Sequence, residues 1–202
     1  MENRAFLEML KPAVRRLQNR SALEIAQNAG IVFDERLSRF EISSLGQEIR
    51  IEYPSCKLSE ELENWHTLIL LHYLDMADGT PLSREWISFG NLRDGMIRGT
   101  KFDASAEAGL QKFLAGKSEA EIKKICEKLG ADFPETKADL SAGFWLFPRY
   151  PVLLNIWLED DEFPASGKML VNKSADHYLT VEDAVTAGEV IIAKLYEAAS
   201  QI

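Results

Sequence analysis

The sequence predicts an α+β fold in which a mainly antiparallel sheet packs against helices and one buried helix lies at the centre. Three observations carry this prediction. Helical periodicity and period-two alternation occupy separate stretches of the 202 residues, and they do not alternate as βαβ units would. Strand patterns with hairpin signals stand toward both ends of the chain. A segment in the middle is apolar around most of a helical circumference.

The N-terminal part of the chain predicts a helix followed by a β-hairpin. Apolar residues recur at helical spacing over residues 3–28, and Ser21 begins a capping box that restarts the helix within this stretch. Gly30 then ends the helix, as glycine commonly does. In residues 37–53 apolar residues alternate on both sides of a turn at Gly46, which is the pattern of a half-buried hairpin.

The central helix is predicted over residues 59–76. Its apolar residues recur every three or four positions and other leucines fill part of the opposite side, so the helix should pack on more than one side. Trp65 belongs to this apolar pattern and is expected in the core. His66 and His72 are six residues apart, about 240° around the helix, so they cannot bind one metal ion as a HExxH pair does.

The C-terminal half adds further helices and the rest of the sheet. Polar turn residues after the central helix lead into a short strand at Trp86. Of three apolar strand patterns that follow, the second is predicted to be the central strand. Thr180 is predicted to cap the last helix, and Asp183 stands three residues later, where the acidic residue of a capping box is found. The predicted bounds are 103–114 and 119–129 for two helices and 144–147, 152–158 and 169–171 for the three strands.

Composition limits the compartment and the partners. Lysine and arginine total 23 against 32 acidic residues, a net charge of −9, so the surface repels phosphate backbones and we expect no nucleic acid partner. Cys56 and Cys126 are far apart in sequence and should be free thiols. No stretch suits a membrane span, and the first residues do not fit a signal peptide. We therefore expect a cytoplasmic protein that forms a single domain over residues 1–202.

Two stretches of the chain resemble a known family. The residues LLHYLDMADGTPLSREWISF at 70–89 and FPRYPVLLNIWLEDDEFPASGKMLVNKSADHYLTVED at 147–183 are similar to the prokaryotic family domain of unknown function 3786. The resemblance covers residues 59–202, whereas residues 1–55 match less distinctly. The family has no established activity, and some longer relatives carry a cysteine-rich segment similar to that of corrinoid iron-sulfur proteins. The resemblance therefore implies a link with anaerobic redox or one-carbon metabolism, in which a partner protein would supply any cluster because two isolated cysteines cannot.

The acidic turn is the best candidate for a site in the sequence, and it comprises Asp160, Asp161 and Glu162. Adjacent carboxylates after a buried strand supply the oxygen ligands that a divalent cation prefers. The alternative is that these residues only keep the tip of a turn solvated. If the turn is a site, we expect it to line a pocket that binds a cation, or a cationic or hydrogen-bond-donating group of a ligand. We expect the turn to share that pocket with residues near Trp86, Arg149 or Tyr178.

Two functions are compatible with the sequence. The first is an accessory or binding protein that engages a small molecule, a cofactor or a redox partner protein and needs no catalytic residues. The second is a metal-dependent hydrolase or lyase, in which the acidic turn holds a divalent cation and His66 or His177 acts as acid or base. The chain has no nucleotide-binding glycine loop and no nucleophile elbow, so the enzyme classes that depend on them are not predicted.

Overall fold

The computed structural model describes residues 4–201, with the side chains of residues 6–201. The predicted start of the first helix at Asn3 lies outside the described residues. The helices are α1 (Arg4–Gln18), α2 (Ala22–Ala29), α3 (Asn64–Met76), α4 (Gly95–Leu114), α5 (Glu119–Glu127) and α6 (Val181–Ala199). The strands are β1 (Val32–Asp34), β2 (Arg39–Ser44), β3 (Gln47–Glu52), β4 (Trp86–Ile87), β5 (Leu140–Phe147), β6 (Tyr150–Trp157) and β7 (Ser166–Asn172). Short 3₁₀ turns lie at Phe89–Asn91 and Ala175–His177.

The strands form two antiparallel sheets. Strands β1, β2 and β3 make a three-stranded meander, and the larger sheet has the order β4-β7-β6-β5. Strand β6 pairs with β5 on one side and with β7 on the other, which confirms the predicted central strand. The α+β class is therefore confirmed, and β1 extends the predicted N-terminal hairpin by one strand.

The middle of helix α3 is buried on all sides, whereas Trp65 near its start is 52% exposed. Residues 68–71 are four consecutive buried residues, and at about 100° per residue they cover the whole circumference of the helix. The helix packs against α1, α2 and α6. It begins at Asn64, so the predicted start at Ser59 is wrong. The preceding segment runs beside β3 instead, where the Ser59 N–H donates a hydrogen bond to the Arg50 carbonyl (2.9 Å).

Tyr73 joins α3 to three other parts of the fold. Its buried hydroxyl donates a hydrogen bond to the Ala29 carbonyl at the end of α2 (2.6 Å) and accepts one from the Arg149 N–H between β5 and β6 (3.1 Å). Its ring stacks on Phe147 and on Tyr178, with centroid separations of 4.6 and 5.6 Å. A large polar side chain is thus buried with both hydrogen-bonding roles satisfied. These contacts fix α3 relative to α2 and to the larger sheet.

Helix α4 is longer than the predicted 103–114, because it begins at Gly95. Its first turns pack directly on the 3₁₀ turn that precedes the helix. A Cβ at Gly99 would lie 2.1 Å from the Phe89 carbonyl oxygen, so only glycine permits this approach. The contact that extends the helix is tertiary, and helical periodicity in the sequence does not indicate it.

The turn between β2 and β3 contacts the end of α5. Gly46 and Gly130 have φ values of +76° and +66°, and a Cβ on Gly130 would lie 2.9 Å from the Gly46 Cα. Both positions require glycine, because the left-handed conformation and the close approach exclude a side chain. The neighbouring Leu45 N–H donates to the Trp145 carbonyl of β5 (2.9 Å), so the same turn joins the two sheets.

The buried apolar side chains form a cluster with members from both sheets and from all six helices. Cys56 and Cys126 are buried in it and unpaired, as predicted. Burial raises the pKa of the Cys56 thiol to about 11 and that of the Cys126 thiol to about 12, so both are protonated at neutral pH. Among the residues that the structure describes, no helix has the length and apolar character needed to span a bilayer.

We expect Tyr73→Phe to lower the free energy of unfolding by about 1–3 kcal/mol, because the buried Ala29 carbonyl loses its donor. Urea denaturation followed by circular dichroism measures this change. Tyr196→Phe is the matched control: its hydroxyl bonds the Gly109 carbonyl at the exposed surface (3.2 Å), and its removal should cost less than about 0.5 kcal/mol. Equal losses in the two variants would contradict the role of Tyr73.

Candidate functional site

The acidic turn lies exposed after β6. The Asp160 carboxylate accepts hydrogen bonds from the N–H groups of Glu162 (2.8 Å) and Phe163 (2.7 Å), which lower the pKa of that carboxyl. Phe163 is 66% exposed, so it does not anchor the turn in the core. Within the described part of the chain, no group of three or more histidine, cysteine, aspartate or glutamate side chains is arranged to hold a metal ion. A cation site at Asp160, Asp161 and Glu162 stays a prediction.

Arg149 and Tyr178 come together on the loop that follows α3. The Arg149 guanidinium donates to the Gly79 carbonyl (3.0 Å), and the Tyr178 hydroxyl donates to the Thr80 carbonyl. Both side chains therefore hold the backbone of this loop against the rest of the fold. Trp86 begins β4 at the same end of the larger sheet, where β4 pairs with the end of β7.

The structure does not bring the acidic turn together with Trp86, Arg149 and Tyr178. Arg149 precedes β6 and the acidic turn follows it. The eight residues of Tyr150–Trp157 separate them by about 25 Å, at about 3.3 Å per residue. The expected pocket shared by the turn and these three residues is therefore not formed, because the strand between them is fully extended.

The two histidines of α3 line different cavities, as their spacing predicts. An open groove of about 390 Å³ lies between α1, α3 and α6, and we call it the α3 groove. A cavity of about 220 Å³ lies between the β2–β3 turn, α5 and α6, and we call it the Ser44 cavity. The α3 groove is defined by Met9, Trp65, Leu68, His72, Glu182 and Asp183. The Ser44 cavity is defined by Ser44, Gln47, His66, Lys128, Lys194 and Glu197.

A buried carboxylate orients His72 in the α3 groove. Asp183 in the first turn of α6 accepts hydrogen bonds from the His72 Nδ1–H (2.8 Å) and, on its other oxygen, from the Thr180 hydroxyl (2.8 Å). The Asp183 N–H donates to the Thr180 hydroxyl (3.2 Å), which confirms the predicted cap of the last helix. Since a carboxylate only accepts, Nδ1 carries the proton of the neutral ring and Nε2 keeps a free lone pair. The His72 side chain is 25% exposed, and no residue among 6–201 bonds to this Nε2.

The wall of the α3 groove is apolar and accessible. Trp65 is 52% exposed and Met9 is 47% exposed, so the prediction that Trp65 lies in the core is wrong. Trp65, Leu68 and His72 share one face of α3, since they are spaced by three and four residues. That face lies at a gap between α1 and α6, where Trp65 is exposed and Leu68 is buried. An exposed indole beside a polar side chain is a common feature of ligand-binding grooves.

The charged groups of the α3 groove leave a net negative charge. Arg16 and Asp75 at its edge pair with each other, with distances of 2.7 Å from Nε and 2.6 Å from Nη2 to the same carboxylate oxygen. Glu182 is exposed and forms no ion pair with another described residue. With Asp183 beside it, the groove presents more negative than positive charge and is complementary to a cation.

Sequence patterns did not identify the α3 groove, because its parts come from distant segments. His72 and Asp183 are 111 residues apart, and Met9 belongs to a third helix. The available signal was the pair Trp65 and His72, seven residues apart on one face of a helix that is otherwise filled with leucine and isoleucine.

Burial keeps His66 neutral in the Ser44 cavity. Its ring is 2% exposed, and Nε2 forms a hydrogen bond with the Ser44 hydroxyl (2.8 Å). Burial, with a smaller contribution from the charge of Lys194, lowers the pKa of His66 to about 4. The other ring nitrogen, Nδ1, is buried and has no hydrogen-bond partner among the described residues.

Comparison with known proteins places the chain in a family without assigning an activity. The model of the family described as "domain of unknown function (DUF3786)" matches residues 21–194. The match includes both stretches that carry the resemblance, 70–89 and 147–183, and it extends to α2 and to strands β1, β2 and β3. No curated protein and no solved structure matches the chain.

We expect stability to fall by about 2 kcal/mol between pH 7 and pH 5 through His66 alone. The unfolded chain takes up a proton near pH 6.5, whereas folded His66 does so only near pH 4, so the stability is full above pH 6.5 and is lost as the pH falls toward 4. Urea denaturation at a series of pH values measures this slope.

His66→Gln is the control for the pH dependence, because it removes this proton uptake and leaves the other titrating groups in place. Its stability should fall less steeply with decreasing pH than that of the unmodified protein. If the two proteins lose stability equally steeply as the pH falls, His66 has the same pKa in the folded and the unfolded chain. That result would contradict the effect of burial on His66.

Proposed function

The chain belongs to the DUF3786 family, and we propose that it is a small-ligand-binding protein whose α3 groove holds a protonated amine attached to an apolar group. The observation that carries the proposal is the hydrogen bond of His72 to buried Asp183 within an apolar groove of negative charge. It leaves an oriented acceptor, the His72 Nε2, where a ligand has access.

The apolar group of the ligand would lie against Trp65 and Met9. Both side chains are about half exposed, so their surface is available without any change in the core. Covering about 100 Å² of apolar surface contributes about 2.5 kcal/mol at about 25 cal/mol per Å². A positively charged ligand gains further from the face of the Trp65 indole, since cations are attracted to aromatic rings.

The amine would supply the donors and the charge that the polar side of the groove lacks. One N–H would donate to His72 Nε2, and the positive charge would lie near the unpaired carboxylate of Glu182. A carboxylate ligand would instead meet Glu182, Asp183 and the lone pair of Nε2, each of which repels an anion. The charges of the groove therefore favour a positively charged ligand, and its apolar wall favours a ligand with an apolar group.

The wider assignments stay predictions. A ligand-binding role is compatible with the link to anaerobic redox or one-carbon metabolism that the family resemblance implies, and a redox partner protein fits that link. A metal-dependent hydrolase or lyase is the alternative, but its expected parts lie apart. His66 is buried in the Ser44 cavity, His177 bonds Asp78 (2.7 Å), and the acidic turn is exposed after β6. We therefore favour binding.

Three ligands with one apolar group test the proposal: phenethylamine, 2-phenylethanol and 3-phenylpropionate. In calorimetric titrations we expect phenethylamine to bind with a dissociation constant of about 1 mM or tighter. 2-Phenylethanol retains a donor without the charge, so it should bind at least about tenfold more weakly, and 3-phenylpropionate should give no binding heat. Equal binding of all three would contradict the assigned ligand class.

Substitutions locate the binding in the α3 groove. Trp65→Ala should weaken phenethylamine binding at least about tenfold, because it removes the aromatic wall. Trp157→Ala is the matched control, since this tryptophan is also partly exposed but belongs to β6. If Trp65→Ala leaves the affinity unchanged, or if Trp157→Ala weakens it as much, the amine binds elsewhere and the proposal fails.

A further inference from the structure

The Ser44 cavity lies on a different side of α3 from the α3 groove and is built from other elements. Ser44 and Gln47 flank the β2–β3 turn, Lys128 follows α5, and Lys194 and Glu197 belong to the last turns of α6. The contact between Gly46 and Gly130 holds the first two of these elements together. The cavity is therefore bounded by parts of the fold whose relative position is fixed.

A buried hydrogen bond between His66 and Ser44 belongs to the wall of this cavity. His66 is 2% exposed, its Nε2 bonds the Ser44 hydroxyl, and its Nδ1 is buried without a partner among residues 6–201. An N–H buried without an acceptor bears the full desolvation penalty, so the neutral ring is expected to carry its proton on Nε2 and to donate it to the Ser44 oxygen. The Ser44 O–H then has no acceptor in this pair and can donate to a ligand in the cavity.

The side-chain charges of the described residues that line the Ser44 cavity sum to a positive value. Lys194 pairs with Glu197 (2.6 Å), so these two charges offset each other. Lys128 donates to the carbonyls of Ala198 (3.4 Å) and Gln201 (3.3 Å) at the end of α6, which offset its charge only in part, and it forms no ion pair with a carboxylate of residues 6–201. An anion in the cavity would be paired with Lys128 and would also lie near Lys194.

We propose that the Ser44 cavity is a second binding site, for a small oxyanion such as a carboxylate or a phosphate. One of its oxygens accepts a hydrogen bond from the Ser44 hydroxyl, and the anion lies beside the ammonium groups of Lys128 and Lys194. A volume of about 220 Å³ restricts the ligand to a few non-hydrogen atoms beyond the anionic group. The site is independent of the α3 groove. It prefers a negatively charged ligand, whereas the α3 groove prefers a positively charged one.

Nuclear magnetic resonance of the imidazole nitrogens tests the proposal on the unmodified protein. Propionate, inorganic phosphate and the neutral propionamide are the probes. We expect propionate or phosphate to shift the His66 resonances saturably while the His72 resonances stay in place, and the more effective of the two identifies the oxyanion class. If neither anion shifts His66, or if propionamide shifts it equally, the proposal is overturned.

Lysine substitutions separate a specific site from general attraction of anions. Lys194→Met should weaken binding of the effective anion at least about tenfold. Lys173→Met is the matched control, because Lys173 pairs with Glu85 at the surface (2.9 Å) and lies outside the cavity. Equal weakening in both variants would contradict the site. Failure of the amine titration of the α3 groove would leave this outcome unaffected, since the two experiments use different ligands and different residues.

Discussion

The buried hydroxyl of Tyr73 is the contact on which the orientation of α3 depends. It bonds the end of α2 and the turn between β5 and β6 at once, while its ring lies between Phe147 and Tyr178. A helix that is apolar over most of its circumference can pack in several rotations of similar free energy, because leucine and isoleucine side chains fill similar spaces. A tyrosine that needs both a donor and an acceptor fits only one of them, so Tyr73 selects the rotation of the helix about its axis.

That rotation assigns His66 and His72 to different surroundings. In the Ser44 cavity, burial near two lysines keeps the imidazole of His66 neutral. In the α3 groove, the Asp183 carboxylate orients the imidazole of His72. Rotating α3 by one residue, about 100°, would remove both rings from their cavities. The fold thus places two cavities of opposite side-chain charge on one helix, with Glu182 and Asp183 at the start of α6 in one and Lys128 and Lys194 in the other.

Local patterns predicted the elements well, since periodicity and capping are properties of adjacent residues. The caps at Ser21 and Thr180 and the central position of β6 followed from sequence alone. The candidate sites are harder to predict from sequence, because the hydrogen bond between His72 and Asp183 joins residues that are 111 positions apart. The carboxylates of the acidic turn are adjacent in sequence, which is why the sequence predicts a site there. Adjacent residues on an exposed turn do not by themselves form a cavity. Side chains that come into contact only in the folded chain form no short sequence motif by which the site could be recognised.

The central claim is that the fold holds the two histidines of α3 in different, fixed states. The long-range ¹H–¹⁵N spectrum of the ligand-free protein, recorded from about pH 5 to pH 8, tests it most directly. We predict that His66 keeps the pattern of a neutral ring over this whole range, and that neutral His72 carries its proton on Nδ1. Protonation of His66 near pH 6.5, or a neutral His72 with its proton on Nε2, would contradict the account.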